Sequence, residues 1–225
     1  MSAGQAVFLV GGRGSRLGDL TLDTPKPLLP VAGRPFIEHL LDKAVREGFD
    51  ELILLAGYRH QAVEAYAGAW RGVPLQLSIE PEPLDTAGAV AHAASLLRDD
   101  FLLVNGDTWF DFDWSGLRLS DGFSSLIAAR DVSPADRYET LDIRDGRVVA
   151  IRPRADLPYG VINGGVYRLR RGAFADVRGR ASLEKDTLPT LCAEGLLGAE
   201  IKTGAFIDIG LPQSLKAAET ILGLM

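Results

Sequence analysis

Glycines and cations that could hold a polyphosphate fill one short stretch near the N-terminus, residues 11–30 (GGRGSRLGDLTLDTPKPLLP). Its GG-x-G opening follows an apolar run, and Arg16 and Lys26 come later. Glycines let a backbone bend sharply and approach an anion closely, and loop N–H groups can cradle phosphate oxygens. Arginine offers a planar fork of donors and lysine a mobile point charge, and both suit phosphate. The stretch predicts a polyphosphate site; a glycine-rich surface turn is the alternative.

Two familiar phosphate motifs are excluded by the residues themselves. A Walker loop needs Gly-Lys followed by Ser or Thr, and the sequence contains no Gly-Lys pair. The dinucleotide pattern G-x-G-x-x-G would begin at Gly12, but Leu17 stands in its last place. No acidic residue closes the second apolar strand at the offset that this pattern requires, because that place reads Leu-Leu-Ala-Gly.

Two aspartates predict a metal site that would serve such phosphates. Asp107 follows the apolar run FLLV at the carboxyl end of a strand, where open α/β sheets bind ligands. Asp208 lies between apolar residues in GAFIDIG, where a lone carboxylate is costly unless it is paired or metal-bound. Mg²⁺ prefers hard oxygen ligands and takes few from the protein when phosphates supply the rest. The alternatives are a turn aspartate at 107 and a helix cap at 208.

Further polar residues could bind a base and a sugar. The connection at residues 80–89 (EPEPLDTAGA) could read a base edge through its backbone, and Gly88 would let a flat ring lie close. A proline-stiffened loop is the alternative there. In the second half, Asn163 and Glu184 suit sugar hydroxyls and Lys185 suits a second phosphate, although each of these residue types is more often found on a surface or in a turn.

Hydrophobic patterning predicts the elements that position these residues. In the first half, strands alternate with helical stretches, of which one runs from Pro35 to Gly48 and one is capped by Thr86. This alternation predicts an α/β fold with a mainly parallel mixed sheet flanked by helices. The strands are expected at residues 6–10, 51–56, 75–79 and 101–104, and the other helices at 61–69 and 87–97.

The second half changes character and predicts a small antiparallel extension of the sheet. Asp145-Gly146 is a strong hairpin signal between two strands, Ser182 can cap a helix, and Pro212 starts a terminal one. The strands are expected at residues 124–129, 140–143, 147–151, 161–169, 199–202 and 205–209. We expect one domain over residues 1–225, with a nucleotide-binding half (1–110) and a sugar-phosphate-binding half (111–225).

Bulk composition excludes several other classes of protein. The 225 residues are 47% hydrophobic and carry a net charge of −6, which argues against a nucleic-acid partner. Cys192 stands alone, so no disulfide framework is possible, and the three histidines are scattered. No signal peptide and no apolar run of about 20 residues for a membrane span is visible. We expect a cytoplasmic protein with no membrane or nucleic-acid partner; a homo-oligomer is compatible with the sequence.

Taken together, these segments resemble the sugar-1-phosphate nucleotidyltransferase family. The family signature, GG-x-G-[ST]-R-L followed by PKPL-x-PV, stands at residues 11–17 and 25–31. LDTAGA looks like the family's base loop, NGD and FIDIG like its metal-aspartate segments, and NGG like its sugar segment. Asp85 replaces the usual glycine, and Arg152-Pro153-Arg154 departs from the usual Glu-Lys-Pro sugar motif.

The resemblance implies a Rossmann-like, GT-A-type fold and a reaction in which an NTP and a sugar 1-phosphate give an NDP-sugar and pyrophosphate, with Mg²⁺ as cofactor. Arg16, Lys26 and Asp107 would be catalytic, and Asp107 and Asp208 would bind the metal. Nucleotide binding would involve Val10, Gly11, Gly12, Gly14, Ser15, Arg16, Glu80, Thr86, Ala87, Gly88, Asn105 and Gly106, and sugar-phosphate binding Lys26, Asn163, Gly164, Glu184 and Lys185.

Within the family, SLEKDTLPTL at residues 182–191 most resembles D-glycero-D-manno-heptose 1-phosphate guanylyltransferases, which implies GTP, a heptose 1-phosphate and a role in cell-envelope polysaccharide. A UTP- or dTTP-dependent enzyme for a hexose or N-acetylmuramate 1-phosphate is a close alternative. A metal-dependent glycosyltransferase could instead use the D-F-D pair Asp111 and Asp113. A nucleotide-sugar-sensing regulatory protein is the non-enzymatic alternative.

Overall fold

The computed structural model describes residues 4–223, with the backbone alone described at Ser15 and Arg16. The α-helices are α1 (Phe36–Arg46), α2 (Asp85–His92), α3 (Leu188–Ala193) and α4 (Pro212–Gly223). The first-half strands are β1 (Gly4–Leu9), β2 (Pro30–Val31), β3 (Arg34–Pro35), β4 (Phe49–Ala56), β5 (Gly68–Trp70), β6 (Val73–Ile79), β7 (Asp100–Asn105) and β8 (Thr108–Phe110). The second-half strands are β9 (Ser125–Val132), β10 (Thr140–Arg144), β11 (Arg147–Arg152), β12 (Gly160–Arg170), β13 (Leu197–Ile201) and β14 (Phe206–Asp208).

One mixed sheet of ten strands forms the middle layer, in the order β10-β11-β13-β9-β12-β7-β1-β4-β6-β5. The neighbours of β1, which are β4 and β7, run parallel to it, and β6 runs parallel to β4. β12 pairs antiparallel with both β7 and β9, so the second half continues the same sheet. The predicted α/β class with a mixed sheet is confirmed, and the parallel strands are concentrated in the first half.

The central strands are buried on both faces because helices cover both sides of the sheet. Along β1, Ala6 and Phe8 pack into one core layer with α1 and α4, whereas Val7 packs into the other layer with α2 and α3. Successive strand residues point to opposite faces, so a continuous apolar run serves two cores at once. This is why the short apolar runs of the sequence predict these strands well.

Two of the predicted helices differ from the structure. Residues 61–69 form a 3₁₀ helix (His60–Tyr66) followed by the edge strand β5. Here the chain turns tightly at Arg59, with φ 52°, and Gly68, with φ 113°, and pairs with β6. The helix predicted at 87–97 is α2, which begins at Asp85 without a side-chain cap and ends at His92.

In the described part of the chain, no helix is both long and apolar enough to cross a membrane.

Candidate active site

The polar loops predicted from the sequence meet at the carboxyl ends of β1, β4, β6 and β7. Two adjoining cavities open there, of about 730 Å³ and about 630 Å³. Both cavities are bordered by Leu9, Gly12, Asp85 and Thr86, so they meet at the glycine loop and the start of α2. Ligands of open α/β sheets bind at this edge, which makes the two cavities the candidate active site.

The first cavity lies between the glycine loop and the loop that follows β6. Gly11, Gly12 and Arg13 form one wall, and Glu80 and Pro81 belong to the facing wall. A side chain at Gly12 would meet no protein atom within 4 Å, so the backbone here faces open space. The loop can therefore approach a ligand closely from this wall.

Glu80 is held in a fixed place on the facing wall. Its Oε2 accepts a hydrogen bond from Leu84 N at 3.0 Å, and its Oε1 lies against Gly57, where an added Cβ would stand 1.8 Å away. Only glycine at 57 leaves room for this carboxylate. Burial raises the pKa of Glu80 above its ordinary value. The group is thus a positioned acceptor in a partly desolvated wall.

The second cavity contains the predicted cation and both predicted metal ligands. Lys26 is 7% exposed, and its Nζ contacts Asp107 Oδ2 directly and lies 3.6 Å from Asp208 Oδ1. Lys26 also packs under the glycine loop, where a Cβ on Gly14 would lie 3.0 Å from the Cβ of Lys26. The structure therefore brings together the GG-x-G and PKPL segments, which are separated by ten residues in the sequence.

A two-stranded ladder explains how two aspartates 101 positions apart come to share one site. β8 and β14 pair antiparallel with Thr108 opposite Asp208, and Ile209 N donates to Asp107 O at 3.0 Å. Thr108 Oγ1 donates to Asp107 Oδ1 at 3.1 Å, and Gly210 N donates to Asp208 Oδ1 at 2.7 Å. These hydrogen bonds orient both carboxylates toward the side chain of Lys26.

The donor set fits a hard divalent cation whose remaining ligands come from phosphates. Asp107 and Asp208 are each 33% exposed at the side chain and open onto the second cavity. Mg²⁺ is commonly held by one or two carboxylates plus substrate phosphates and water. Among the described residues, no group of three or more His, Cys, Asp or Glu side chains converges on a point. A site built on two carboxylates therefore needs the phosphates of a substrate to complete it.

The NGG segment of the second cavity, residues 163–165, is organised around a buried tyrosine. Asn163 Nδ2 donates to Tyr167 Oη at 2.8 Å, and Asn163 Oδ1 accepts from Gly165 N at 3.0 Å. Tyr167 is fully buried, which raises its pKa well above the ordinary value. Gly164 lies where a Cβ would come within 2.5 Å of Ala128 O, so the register shift of β12 at this point requires glycine.

Thr86 joins the two halves of the site. Its Oγ1 donates to Glu184 Oε2 at 3.1 Å and accepts from Leu183 N at 2.7 Å, so it is not the helix cap that the sequence predicted. Burial raises the pKa of Glu184 above its ordinary value. The predicted cap at Ser182 is present, since its Oγ accepts from Lys185 N at 3.2 Å. The helix that Ser182 caps opens with one π-helical segment, Leu183–Thr187.

Most of the sequence-predicted site residues border one of the two cavities, but three do not. Val10, Ala87 and Gly88 are buried away from both. The N–H groups of Ala87 and Gly88 donate to Ala181 O, and a Cβ at Gly88 would lie 2.5 Å from Gly179 O. The close approach that requires glycine at 88 is therefore to protein backbone, not to a flat ring.

The side chains of Ser15 and Arg16 lie outside the described part of the chain, so their predicted roles stay predictions. The residues that do border the cavities as predicted are Gly11, Gly12, Gly14, Lys26, Glu80, Thr86, Asn105, Gly106, Asp107, Asn163, Gly164, Glu184, Lys185 and Asp208. The sheet edge and the β8–β14 ladder bring these residues together around the two cavities. No single sequence motif predicts this arrangement.

The D-F-D pair is not part of the site. Asp111 Oδ1 accepts from Lys43 Nζ at 3.1 Å, and Asp113 Oδ1 accepts from Ser115 Oγ at 2.6 Å and Gly116 N at 3.0 Å. The hydrogen bond from Ser115 lowers the pKa of Asp113. Neither carboxylate borders either cavity. Both acids have structural partners, which removes the basis for a D-x-D glycosyltransferase.

Sequence reasoning missed other residues of the cavity walls. Arg13 and Tyr58 stack at 5.6 Å on the wall of the first cavity, where Arg180 from the second half also lies. Tyr167 belongs to the second cavity. Contacts between residues far apart in the sequence place Arg180 and Tyr167 at the cavities, so no local sequence pattern pointed to either residue. Asp85 was visible in the sequence only as a departure from glycine, without a role.

Comparisons with known proteins agree with this geometry. The family model described as nucleotidyl transferase matches residues 5–222. D-glycero-alpha-D-manno-heptose 1-phosphate guanylyltransferase of Aneurinibacillus thermoaerophilus is 32% identical, covering 96% of this chain and 96% of its own. The protein of the same name from Campylobacter jejuni is 32% identical and covers 93% of this chain and 96% of its own.

A solved structure confirms the fold class. HddC from Yersinia pseudotuberculosis, complexed with GMP-PN, is similar with a TM-score of 0.84 at 30% identity, covering 97% of this chain and 99% of that one. Fold, catalytic-segment geometry and sequence similarity over almost the full length agree with one another. The chain therefore belongs to the nucleotidyl transferase family of enzymes.

Proposed function

We propose that this protein joins GTP and a heptose 1-phosphate to give a GDP-heptose and pyrophosphate. The observation that carries the proposal is the contact of Lys26 with Asp107 and Asp208 beside the glycine loop, where the two cavities meet. The names of the guanylyltransferase relatives support GTP and heptose as substrates. The product would supply cell-envelope polysaccharide synthesis from the cytoplasm.

The nucleotide would lie along the glycine loop. In this arrangement the base occupies the first cavity, with its N–H edge toward Glu80, and the phosphates pass Gly12 toward Lys26. Guanine presents N–H donors that an ionised carboxylate accepts, whereas uracil presents one N–H between two acceptors. Backbone N–H groups of the loop and the side chain of Arg16 would hold the phosphates.

The sugar 1-phosphate would occupy the second cavity, beyond the metal ligands. Asn163 and Glu184 supply acceptors and donors for hydroxyl groups, and Lys185 supplies a cation for the phosphate. Arg154 also borders this cavity, in the segment that departs from the family's usual sugar motif.

The chemistry that this arrangement can perform is in-line nucleotidyl transfer. A phosphate oxygen of the sugar 1-phosphate attacks the α-phosphorus of the NTP, and pyrophosphate leaves from the opposite side. The attacking oxygen is already an anion, so the protein need not supply a general base, and catalysis rests on positioning and charge stabilisation. Lys26 would neutralise charge on the α-phosphate. A divalent cation on Asp107 and Asp208, when bound, would neutralise phosphate charge and fix its orientation.

A substrate panel tests the proposal. Four nucleoside triphosphates are each incubated with heptose, mannose, glucose and N-acetylmuramate 1-phosphates in the presence of Mg²⁺, and pyrophosphate release is measured. We expect the highest kcat/KM for GTP with a heptose 1-phosphate. Preference for UTP or dTTP with a hexose or N-acetylmuramate 1-phosphate would contradict the substrates, and absence of release with every pair would contradict the reaction.

A further inference from the structure

Asp85 has an unusual backbone conformation at the junction of the two cavities. Its φ is 62°, in the left-handed region that favours glycine, and its Oδ1 accepts from Thr86 N at 2.8 Å. A non-glycine residue in this region costs about 1 kcal/mol, although aspartate is among those that tolerate it best. Glycine, the usual residue in this segment of the family, would remove that cost. We therefore expect the side chain of Asp85 to have a function that offsets this conformational cost.

The side chain of Asp85 borders both cavities and is 38% exposed. The closest cation is Arg180, whose Nε lies 3.9 Å from Asp85 Oδ2, but the Arg180 side chain is 75% exposed. Two other carboxylates, Glu80 and Glu184, are close enough to feel the charge of Asp85. The wall around the start of α2 is therefore acidic.

An acidic wall is a poor partner for a triphosphate and a good one for N–H donors. A carboxylate beside the phosphates would repel them, so Asp85 must face the base or the ribose of a bound nucleotide. Guanine carries two neighbouring donors, N1–H and the exocyclic 2-amino group, which is an arrangement that two carboxylates on one wall can satisfy together. Adenine has an acceptor, N1, where guanine has N1–H, and only a C2–H where guanine has the amino group, while cytosine and uracil place the acceptor O2 there.

We propose that Asp85 selects guanine by accepting a hydrogen bond from its 2-amino group, while Glu80 accepts from N1–H. This inference rests on the proposed function and names the residue that determines its base specificity. A site built to hydrogen-bond a polar group strongly rejects an analogue that lacks the group, because its own polar atoms then stay unpaired. A nucleotide that lacks the 2-amino group therefore tests the inference.

Inosine triphosphate, which is GTP without the 2-amino group, is the probe. We measure kcat/KM for GTP, ITP and 2′-deoxy-GTP with a heptose 1-phosphate for the wild-type enzyme and for Asp85→Gly. Glycine is favoured at φ 62°, so this variant keeps its fold. Asp145→Gly is the matched control, because Asp145 also has a positive φ of 49° but lies in the hairpin turn between β10 and β11.

We expect the wild-type enzyme to prefer GTP to ITP by about ten- to a hundredfold, the size of a lost hydrogen bond to a charged group. Asp85→Gly should bring this ratio to within about threefold of unity, and Asp145→Gly should keep the wild-type ratio. An unchanged GTP/ITP ratio in Asp85→Gly overturns the inference. So does a variant in which only the ratio of GTP to 2′-deoxy-GTP collapses, since Asp85 would then face the ribose.

Failure of the proposed function is a separate result. It is a wild-type enzyme that releases no pyrophosphate from any of these triphosphates with any sugar 1-phosphate. A wild-type enzyme that turns over GTP and ITP equally well leaves the reaction in place and overturns only the role of Asp85.

Discussion

Lys26 is the buried cation of the second cavity. It is almost buried, and it contacts one carboxylate and approaches a second, both of which open onto the second cavity. A lysine is a compact, mobile charge, so it can turn from these acids to a phosphate without moving the backbone. In the proposed reaction, Lys26 would therefore follow the charge of the α-phosphate during transfer.

Lys26→Ala is expected to lower kcat for nucleotidyl transfer by about a hundred- to a thousandfold, the loss typical for one preorganised charge at a reacting phosphate. Steady-state pyrophosphate release measures the effect. Lys216→Ala, which removes an exposed lysine on α4, is the control and should stay within twofold of the wild type. Lys26→Ala activity within tenfold of the wild type would contradict the role given to Lys26.

Glu80 gives the nucleotide site a dependence on pH. Burial raises its pKa, so as the pH falls through that raised value the carboxylate takes up a proton and becomes a weaker, uncharged acceptor for N1–H of the base. We expect KM for GTP to rise on the acidic side in the wild type. Glu80→Gln has no titrating group at this position, so its KM for GTP should be higher than that of the wild type and should change less with pH on the acidic side. Parallel acidic limbs in the two proteins would contradict this role.

At the scale of single residues, the sequence predicted the chemistry better than the contacts. Asp107 could be predicted because it ends an apolar strand, and Lys26 because prolines and glycines surround it. The hydrogen bonds of Thr86 could not, since its partners Leu183 and Glu184 are almost a hundred residues away. Gly88 was misread for the same reason: its neighbour in space is Gly179.

At the scale of elements, the proposed function requires the glycine loop, residues 11–14, to admit a polyphosphate. A Cβ at Gly12 meets no protein atom within 4 Å, and Gly12 borders both cavities. Gly172, in the 3₁₀ helix Arg171–Phe174, has the same open surroundings but borders neither cavity. Substitutions at these two glycines therefore distinguish an effect on ligand binding from an effect on the stability of the fold.

Gly12→Ala is expected to raise KM for GTP by about tenfold or more, because the added methyl group occupies space next to the phosphates. Its thermal midpoint should stay within a few degrees of the wild type. Gly172→Ala should change neither quantity. Kinetics together with a thermal melt check this, and equal KM values in the two variants would show that the loop does not contact the nucleotide.

The elements themselves were predictable where hydrophobic residues alternate or repeat at helical spacing. α1 could be predicted because apolar residues, among them Phe36, Leu40 and Ala44, recur at helical spacing, and the structure buries all three. β14 was predicted, as the strand at residues 205–209, but its partner β8 could not be, because β8 has only three residues and is stabilised by pairing with β14. This short ladder nevertheless positions both of the aspartates predicted to bind the metal, and its pairing is not visible in the sequence.

At the scale of the whole molecule, the two halves share one sheet. β12 joins them by pairing with β7 on one side and with β9 on the other, and Thr86 bridges them at the site. The predicted division of the chain at residue 110 therefore falls within one continuous sheet and does not separate two sheets. The sequence predicted β12, as the strand at residues 161–169, but contained no signal for its pairing with β7 and β9.

Thermal unfolding is therefore expected to be a single transition. GTP at about a hundred times its Kd, with Mg²⁺, should stabilise the folded protein by about 2.7 kcal/mol, because only the folded protein binds it. Differential scanning calorimetry with and without GTP measures both effects. Two separable transitions, of which only one responds to GTP, would show instead that the halves unfold independently.

The central claim is that the α-phosphorus of the triphosphate moves to the sugar phosphate. GTP labelled with ³²P at the α-position is incubated with a heptose 1-phosphate and Mg²⁺, and the products are separated. We predict that the label appears in a GDP-heptose, with one pyrophosphate released for each molecule formed. Label found only in GDP or GMP, with no nucleotide sugar formed, would contradict the account.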